Sequence, residues 1–321
     1  MKYIVIVLAT LSIALLARYD EIVAPGADET GWYDRTHILM EGKSLGDVLL
    51  NPNMSQPHYI RHGDQFMEYV FRIIPPTICH AIFVVIFSSL VLIFMLRYRP
   101  PPFICAAVCA YLLLGWPFHQ TLWRHTGWVY WGIPVLLFMV CMLYKNRLFD
   151  IAVVALALLW NEAGIVVAAG IWGMRTDRVT RYAAIAMSAS WLVYRQIVIP
   201  PYPYGATPEF MGLVETFSYA TLGAGFNSIP EMGDQLKYIL WCYGSIALRV
   251  CIFFLLLVKY MPNVYWDKPP KGFVAMTVAA APISVYGGTL PVILPMFMLP
   301  LMLVQYSSDR WGKHGNKLGE V

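Results

Sequence analysis

The chain has 321 residues, 59% of them hydrophobic, 15% aromatic and only 13% charged. An average soluble domain carries roughly a quarter charged residues, so this composition argues against an ordinary soluble fold, and 22 prolines argue against a leucine-rich coiled coil. The net charge of +4 includes no long basic run, so nucleic acid is not an expected partner.

Stretches of about 20 apolar residues span a bilayer as helices, and several recur here between short charged breaks. The N-terminal "MKYIVIVLATLSIALLAR" has one lysine and an apolar core but no clear small-x-small cleavage site, and reads as an uncleaved first span. The predicted spans then run, in chain order, over 3–17, 76–96, 103–117, 128–144, 149–160, 162–174, 182–199, 236–258, 272–286 and 290–306. The expected fold is an all-α polytopic membrane protein of about ten helices, a single transmembrane domain over 1–321 with no separate soluble domain.

Sorting charges by loop orients these spans. With both termini in the cytoplasm, the inner side receives Lys2, Arg97, Arg99, Lys145, Arg147, Arg175, Arg178, Arg181, Lys259, Lys268, Lys271, Arg310, Lys313 and Lys317. The outer loop over 18–75 carries Asp20, Glu21, Asp28, Glu29, Asp34, Glu41, Asp47, Asp64 and Glu68 against five bases, and 200–235 carries four acids and no base. Both patterns agree with one topology. Cys79, Cys105, Cys109, Cys141, Cys242 and Cys251 all fall within apolar segments and read as inert buried thiols, not a disulfide framework.

Two features stand out. The 18–75 loop is long, and its "WYDRTHILMEG" and "FMEYVFRII" mix aromatic, aliphatic and charged residues in the manner of interfacial helices. In addition, "LFDIAVVALALLWNEAGIVVAAGIWGMR" is too long for one untilted span and has Asn161-Glu162 at its centre. It reads as two short helices meeting there. Neither crosses a full hydrocarbon layer, which fits if they border a cavity.

Asp28, Glu29 and Asp34 lie just past the first span beside Trp32 and Tyr33. An outer loop is acidic simply because bases are kept out of it, so solvated carboxylates are one reading and a site at the membrane surface is the other. Here the sequence resembles the GT-C-fold glycosyltransferases, membrane enzymes that take a sugar from a polyprenyl-phosphate carrier on the outer face. Asp28-Glu29-Thr30 followed by Trp32 and Tyr33 is similar to a pattern of the aminoarabinose and protein O-mannosyl transferases, with "HILMEG" following it. "YVFRIIPP" resembles the entry into their second span, "LLWNEAGIVVAAGIW" their pair of short helices, and "RYAAIAMSASWLVYRQIVI" their next span. The likeness runs over roughly 1–200. It implies an inverting displacement with Asp28, Glu29 or Asp34 as catalytic carboxylates. The chain is short for the family, and the second outer Asp motif of metal-dependent members is not evident, so no cofactor is expected and a divalent metal stays an alternative that the sequence does not indicate.

A carboxylate accepts the acceptor hydroxyl's proton, and a departing phosphate calls for cationic donors, for which Arg supplies a two-pronged fork. The outer-side candidates are Arg72, Arg124, His125, Arg195 and Lys237, and Asn161, Glu162 and Arg249 are the expected polar residues of a cavity. A snorkelling structural role is the alternative for Arg249. His58, His62 and Asp64 in "PHYIRHGD" lack the Glu of a zinc-protease helix and are flanked by Pro57 and Gly63, so they read as loop residues.

The expected partners are a polyprenyl-phosphate-linked sugar donor, membrane lipid and a glycan, lipid or protein acceptor, with the chain in a bacterial inner membrane or encoded by a phage acting there. Two alternatives remain: a transporter or flippase using Glu162 and Arg249 on a solute path, or a non-catalytic lipid-binding membrane protein.

Overall fold

A computed structural model describes residues 1–17, 62–114, 129, 132–161, 163–198, 255, 270–287, 294–295 and 298–305. Every regular element among them is helical. In chain order these are α1 (Lys2–Ala17), α2 (His62–Ile73), α3 (Pro76–Tyr98), α4 (Pro102–Leu114), α5 (Ile133–Leu143), α6 (Arg147–Trp160), α7 (Ala163–Met174), α8 (Arg178–Val198) and α9 (Lys271–Gly287), followed by helical residues 298–305. The predicted spans before 200, and the one over 272–286, each coincide with a helix to within a few residues. The span expected over 236–258 lies outside the described residues except for Leu255.

Local chemistry sets the helix ends. Pro76 opens α3 at a position where its missing N–H costs nothing. The helix closes at Arg99, which takes the left-handed conformation (φ 47°, ψ 50°) and donates its N–H to Met95 O before Pro100 forbids another turn. Asn146 caps α6 by accepting from Phe149 N at 3.1 Å, and Asp177 caps α8 by accepting from Thr180 N at 2.9 Å and Thr180 Oγ1 at 2.8 Å.

Among the described residues, α3 is the helix long and apolar enough to cross a membrane by itself. Lys2–Ala17, Pro102–Leu114, Ile133–Leu143 and Ala163–Met174 are apolar but shorter. One face of α3 (Phe83, Phe87, Phe94, Met95) is buried in the core with Phe138, Ile104 and Leu112. Its opposite face (Ile78, Ile82, Val85, Ile86, Ile93) is about half exposed. That is the reverse of a soluble amphipathic helix, whose outer face is polar.

The packing follows the chain. Helix α1 lies against α3 and α4, α3 against α5, and α5 against α6 and α7. Helix α8 contacts both α6 and α7, while α7 and α9 form the most extensive pair. Small residues permit that closeness: a Cβ on Gly173 would sit 2.6 Å from Lys271 O, and one on Gly170 would meet Phe138 and Met276 side chains.

Candidate functional site

The helix ends gather at two poles. At the first, Tyr3 Oη donates to Pro100 O at 2.8 Å, tying the start of α1 to the α3–α4 turn. The carbonyls in the last turn of α5, which have no partner within their own helix, are taken by side chains from elsewhere. Arg97 Nη1 donates to Leu143 O, and Arg175 Nη2 donates to Cys141 O and, at 2.9 Å, to Tyr144 O. Tyr98 Oη and Gln305 Nε2 both donate to Met142 O at 3.3 Å.

Arg175 also holds Asp150 in a two-pronged ion pair, Nε to Oδ2 at 2.6 Å and Nη2 to Oδ1 at 2.8 Å, with both side chains largely buried. Lys145, Arg147, Arg178, Arg181 and Lys271 occupy the same pole, since they flank the ends of these helices. Arg97 and Arg175, read from sequence as loop charges, here cap a helix C-terminus. That role joins residues 46 and more than 30 positions apart and leaves no local signal.

At the opposite pole of α6 and α7 the chain reverses at Asn161, where the sequence places its polar break. Asn161 ends α6, donating its N–H to Ala157 O at 3.2 Å. It also starts α7, its Oδ1 accepting from Ala163 N at 3.0 Å and its carbonyl from Gly164 N at 3.0 Å. One buried residue therefore serves both helix ends, through its backbone at α6 and its side-chain acceptor at α7, which is why a residue with an N-cap oxygen stands there. Gly164 lies so close to the backbone of Ala157 and Leu158 that any Cβ would collide with it.

Trp160, beside the break, donates its indole N–H to Val129 O at 2.6 Å. Helix α2 lies over it: Phe66 meets the indole edge-on at 6.2 Å, and a Cβ on Gly63 would run into the ring. His62 and Asp64, expected in a loop, belong to this helix. Gly63 does not break it, because the absent side chain is what lets the backbone approach Trp160.

The structure thus brings α2, which carries Arg72, to the Trp160–Asn161 turn. Arg195 falls in the last turn of α8, about 26 Å from that helix's start at the basic pole, whereas α6 and α7 extend only about 21 and 18 Å from it. Both arginines therefore sit on helices that reach the pole of the turn. Asp28, Glu29, Asp34, Arg124, His125, Glu162, Lys237, Arg249 and His58 lie outside the described residues. Among the described residues no three His, Cys, Asp or Glu side chains converge to hold a metal ion. The chain matches no protein-family model, no curated protein and no solved structure.

Proposed function

We propose that the chain is a polytopic membrane glycosyltransferase of GT-C type, moving a sugar from a polyprenyl-phosphate carrier to an acceptor on the outer face by inverting displacement. The observation that carries this reading is the packing of α2 on Trp160. It joins the end of the acidic 18–75 loop to a helix reversal of about 20 Å depth, short of the roughly 30 Å hydrocarbon layer. A reversal inside the layer needs its backbone polar groups satisfied by protein, and Asn161 supplies that. The exposed Ile and Val face of α3 suits contact with lipid tails, and the collection of bases at one pole suits a cytoplasmic side.

In this reading the loop carboxylates Asp28, Glu29 and Asp34 supply the general base, and Arg195 with Arg72 or Arg124 binds the departing phosphate. His125 and Lys237 are further candidates for the phosphate, Glu162 and Arg249 are the polar residues of a cavity, and the buried Asn161 builds the turn beside Glu162. The test is incubation of purified protein with a panel of polyprenyl-phosphate sugars, following consumption of each donor by mass spectrometry. Hydrolysis or transfer from one donor supports the reading. A folded preparation that consumes none of them ends it.

A further inference from the structure

A groove of about 1400 Å³ runs between α7, α8 and α9, with its mouth at the basic pole and its far end, at Ile165 and Leu192, near the level of the Trp160–Asn161 turn. Its mouth is lined by Lys145, Arg175, Arg181 and Lys271, and among the described residues no acidic side chain lines it. Arg175 is committed to Asp150. Arg181 is differently placed: its guanidinium lies 4.4 Å from the centroid of the Trp172 ring, and its Nε is buried with no hydrogen-bond partner. A buried donor of this kind normally has one.

Beyond the mouth the walls turn apolar. Ile185, Ala189 and Leu192 of α8 face Val274 and Val278 of α9 across the groove, and all five are exposed. From Arg181 to Leu192 the groove runs about 16 Å along α8, close to the roughly 15 Å hydrocarbon depth of one leaflet. Its volume exceeds that of most small-molecule pockets. A cationic mouth over an apolar trough one leaflet deep is complementary to a molecule with an anionic head and a hydrocarbon tail.

We propose that this groove binds an anionic phospholipid of the cytoplasmic leaflet, with its phosphate at Arg181 and Lys271 and an acyl chain between α8 and α9. The phosphate position at Arg181 and Lys271 lies at the pole opposite the outer-face chemistry, and the proposal shares with the reading above only the placement of the chain in a membrane. Arg181 supplies the charge-assisted contact, and the Trp172 ring holds its guanidinium in place. The bound lipid would fill the space between α8 and α9, which are otherwise joined chiefly through α7.

The test uses the purified full-length chain in detergent micelles, titrated with dioleoyl phosphatidylglycerol, dioleoyl phosphatidylcholine and glycerol phosphate, with retained lipid read by native mass spectrometry. Phosphatidylglycerol is expected to bind about tenfold tighter than phosphatidylcholine, and glycerol phosphate not to bind detectably. Arg181→Gln should weaken phosphatidylglycerol about fivefold. Ala189→Trp, which fills the trough from an exposed position, should weaken both lipids, and Lys2→Gln, at the same pole but outside the groove, should change nothing. Equal binding of the two lipids, binding of glycerol phosphate as tightly as lipid, or wild-type affinity in both groove variants would overturn the proposal. Sugar transfer is assayed separately, so a chain that turns over no donor can still bind the lipid, and the reverse.

Discussion

The Asp150 carboxylate and the Arg175 guanidinium lie flat against each other through two hydrogen bonds of 2.6 and 2.8 Å, and together they clamp the start of α6 to the end of α7. Side-chain exposure is 2% for Asp150 and 11% for Arg175, so solvent screens the pair little. Removing one partner leaves the other charge buried, at a cost of about 3–5 kcal/mol. Asp150→Ala should therefore unfold the chain at markedly lower denaturant or temperature in detergent micelles. Replacing both residues, as Asp150→Leu with Arg175→Met, should recover part of that loss, although the carbonyls of Cys141 and Tyr144 still lose their donor. A double variant no more stable than Asp150→Ala would mean that these carbonyl contacts, not the ion pair, are the larger effect.

The Asn161 turn yields a second pair of variants. Asn161→Ala strips the acceptor from Ala163 N in a buried position and should cost about 1–3 kcal/mol. Gly164→Ala must push α6 and α7 apart, since its Cβ would fall on the backbone of Ala157, and should cost at least about 1–3 kcal/mol as an overpacked contact. Thermal unfolding followed by circular dichroism measures both. A Gly164→Ala melting temperature equal to that of the wild type would show that the two helices are free to separate.

Asp177 gives a pH dependence. The Thr180 backbone N–H and then the Thr180 hydroxyl hold its carboxyl below the ordinary range. A carboxylate whose folded pKa is depressed adds stability that is fully present above its unfolded value of about 3.9, and that stability is lost as pH falls through the lower folded value. Melting temperatures of wild type and Asp177→Asn should therefore differ by a constant amount at neutral pH and converge as the pH drops below about 4. A difference that stays constant down to pH 3 would mean that the cap does not titrate.

Much of the helical layout was legible in the sequence because it depends on local signals. Asn161-Glu162 interrupts an apolar run, Pro75 and Pro76 mark the start of α3, and the three prolines after Arg99 mark its end. What was not legible rests on distant partners. The α5 carbonyls are capped by Arg97 and Arg175, and Gly63 accepts Trp160 from almost a hundred positions along the chain. The second case also explains why His62 was expected in a loop: a glycine beside a histidine reads as a break unless the ring it accommodates is known. The groove lined by Arg181 and Lys271 was equally hidden, since both residues looked like ordinary cytoplasmic charges. The loop carboxylates Asp28, Glu29 and Asp34 and the candidate cations Arg124, His125 and Lys237 lie outside the described residues.

In the proposed glycosyltransferase Asp28 acts as the general base, with Glu29 the next candidate. Loss of a general base costs about 10²–10⁴-fold in rate, whereas changing a loop carboxylate shifts stability by no more than about 0.5 kcal/mol. Asp28→Asn should therefore lower donor turnover by that factor with an unchanged melting curve, and Glu29→Asn should lower it less. Full turnover by Asp28→Asn would remove this residue from the mechanism.

Arg195 separates a binding role from an anchoring one. Its position near the end of α8 places its backbone some 26 Å from the basic pole, close to the depth at which a lipid-linked donor presents its phosphate at the outer interface. A phosphate contact exploits the planar fork of the guanidinium, and a lysine supplies only a point charge. An arginine that merely anchors the helix among headgroups is replaceable by lysine, which snorkels equally well. Arg195→Lys should therefore weaken donor affinity and turnover by about tenfold, corresponding to the loss of roughly 1.4 kcal/mol from one charge-assisted bond, with Arg195→Ala weaker still. Arg72→Lys and Arg124→Lys, measured in the same donor assay, identify the second phosphate ligand by which of them shows a comparable loss. If Arg195→Lys and Arg195→Ala both keep wild-type affinity and turnover, Arg195 is an anchor and the phosphate is held elsewhere.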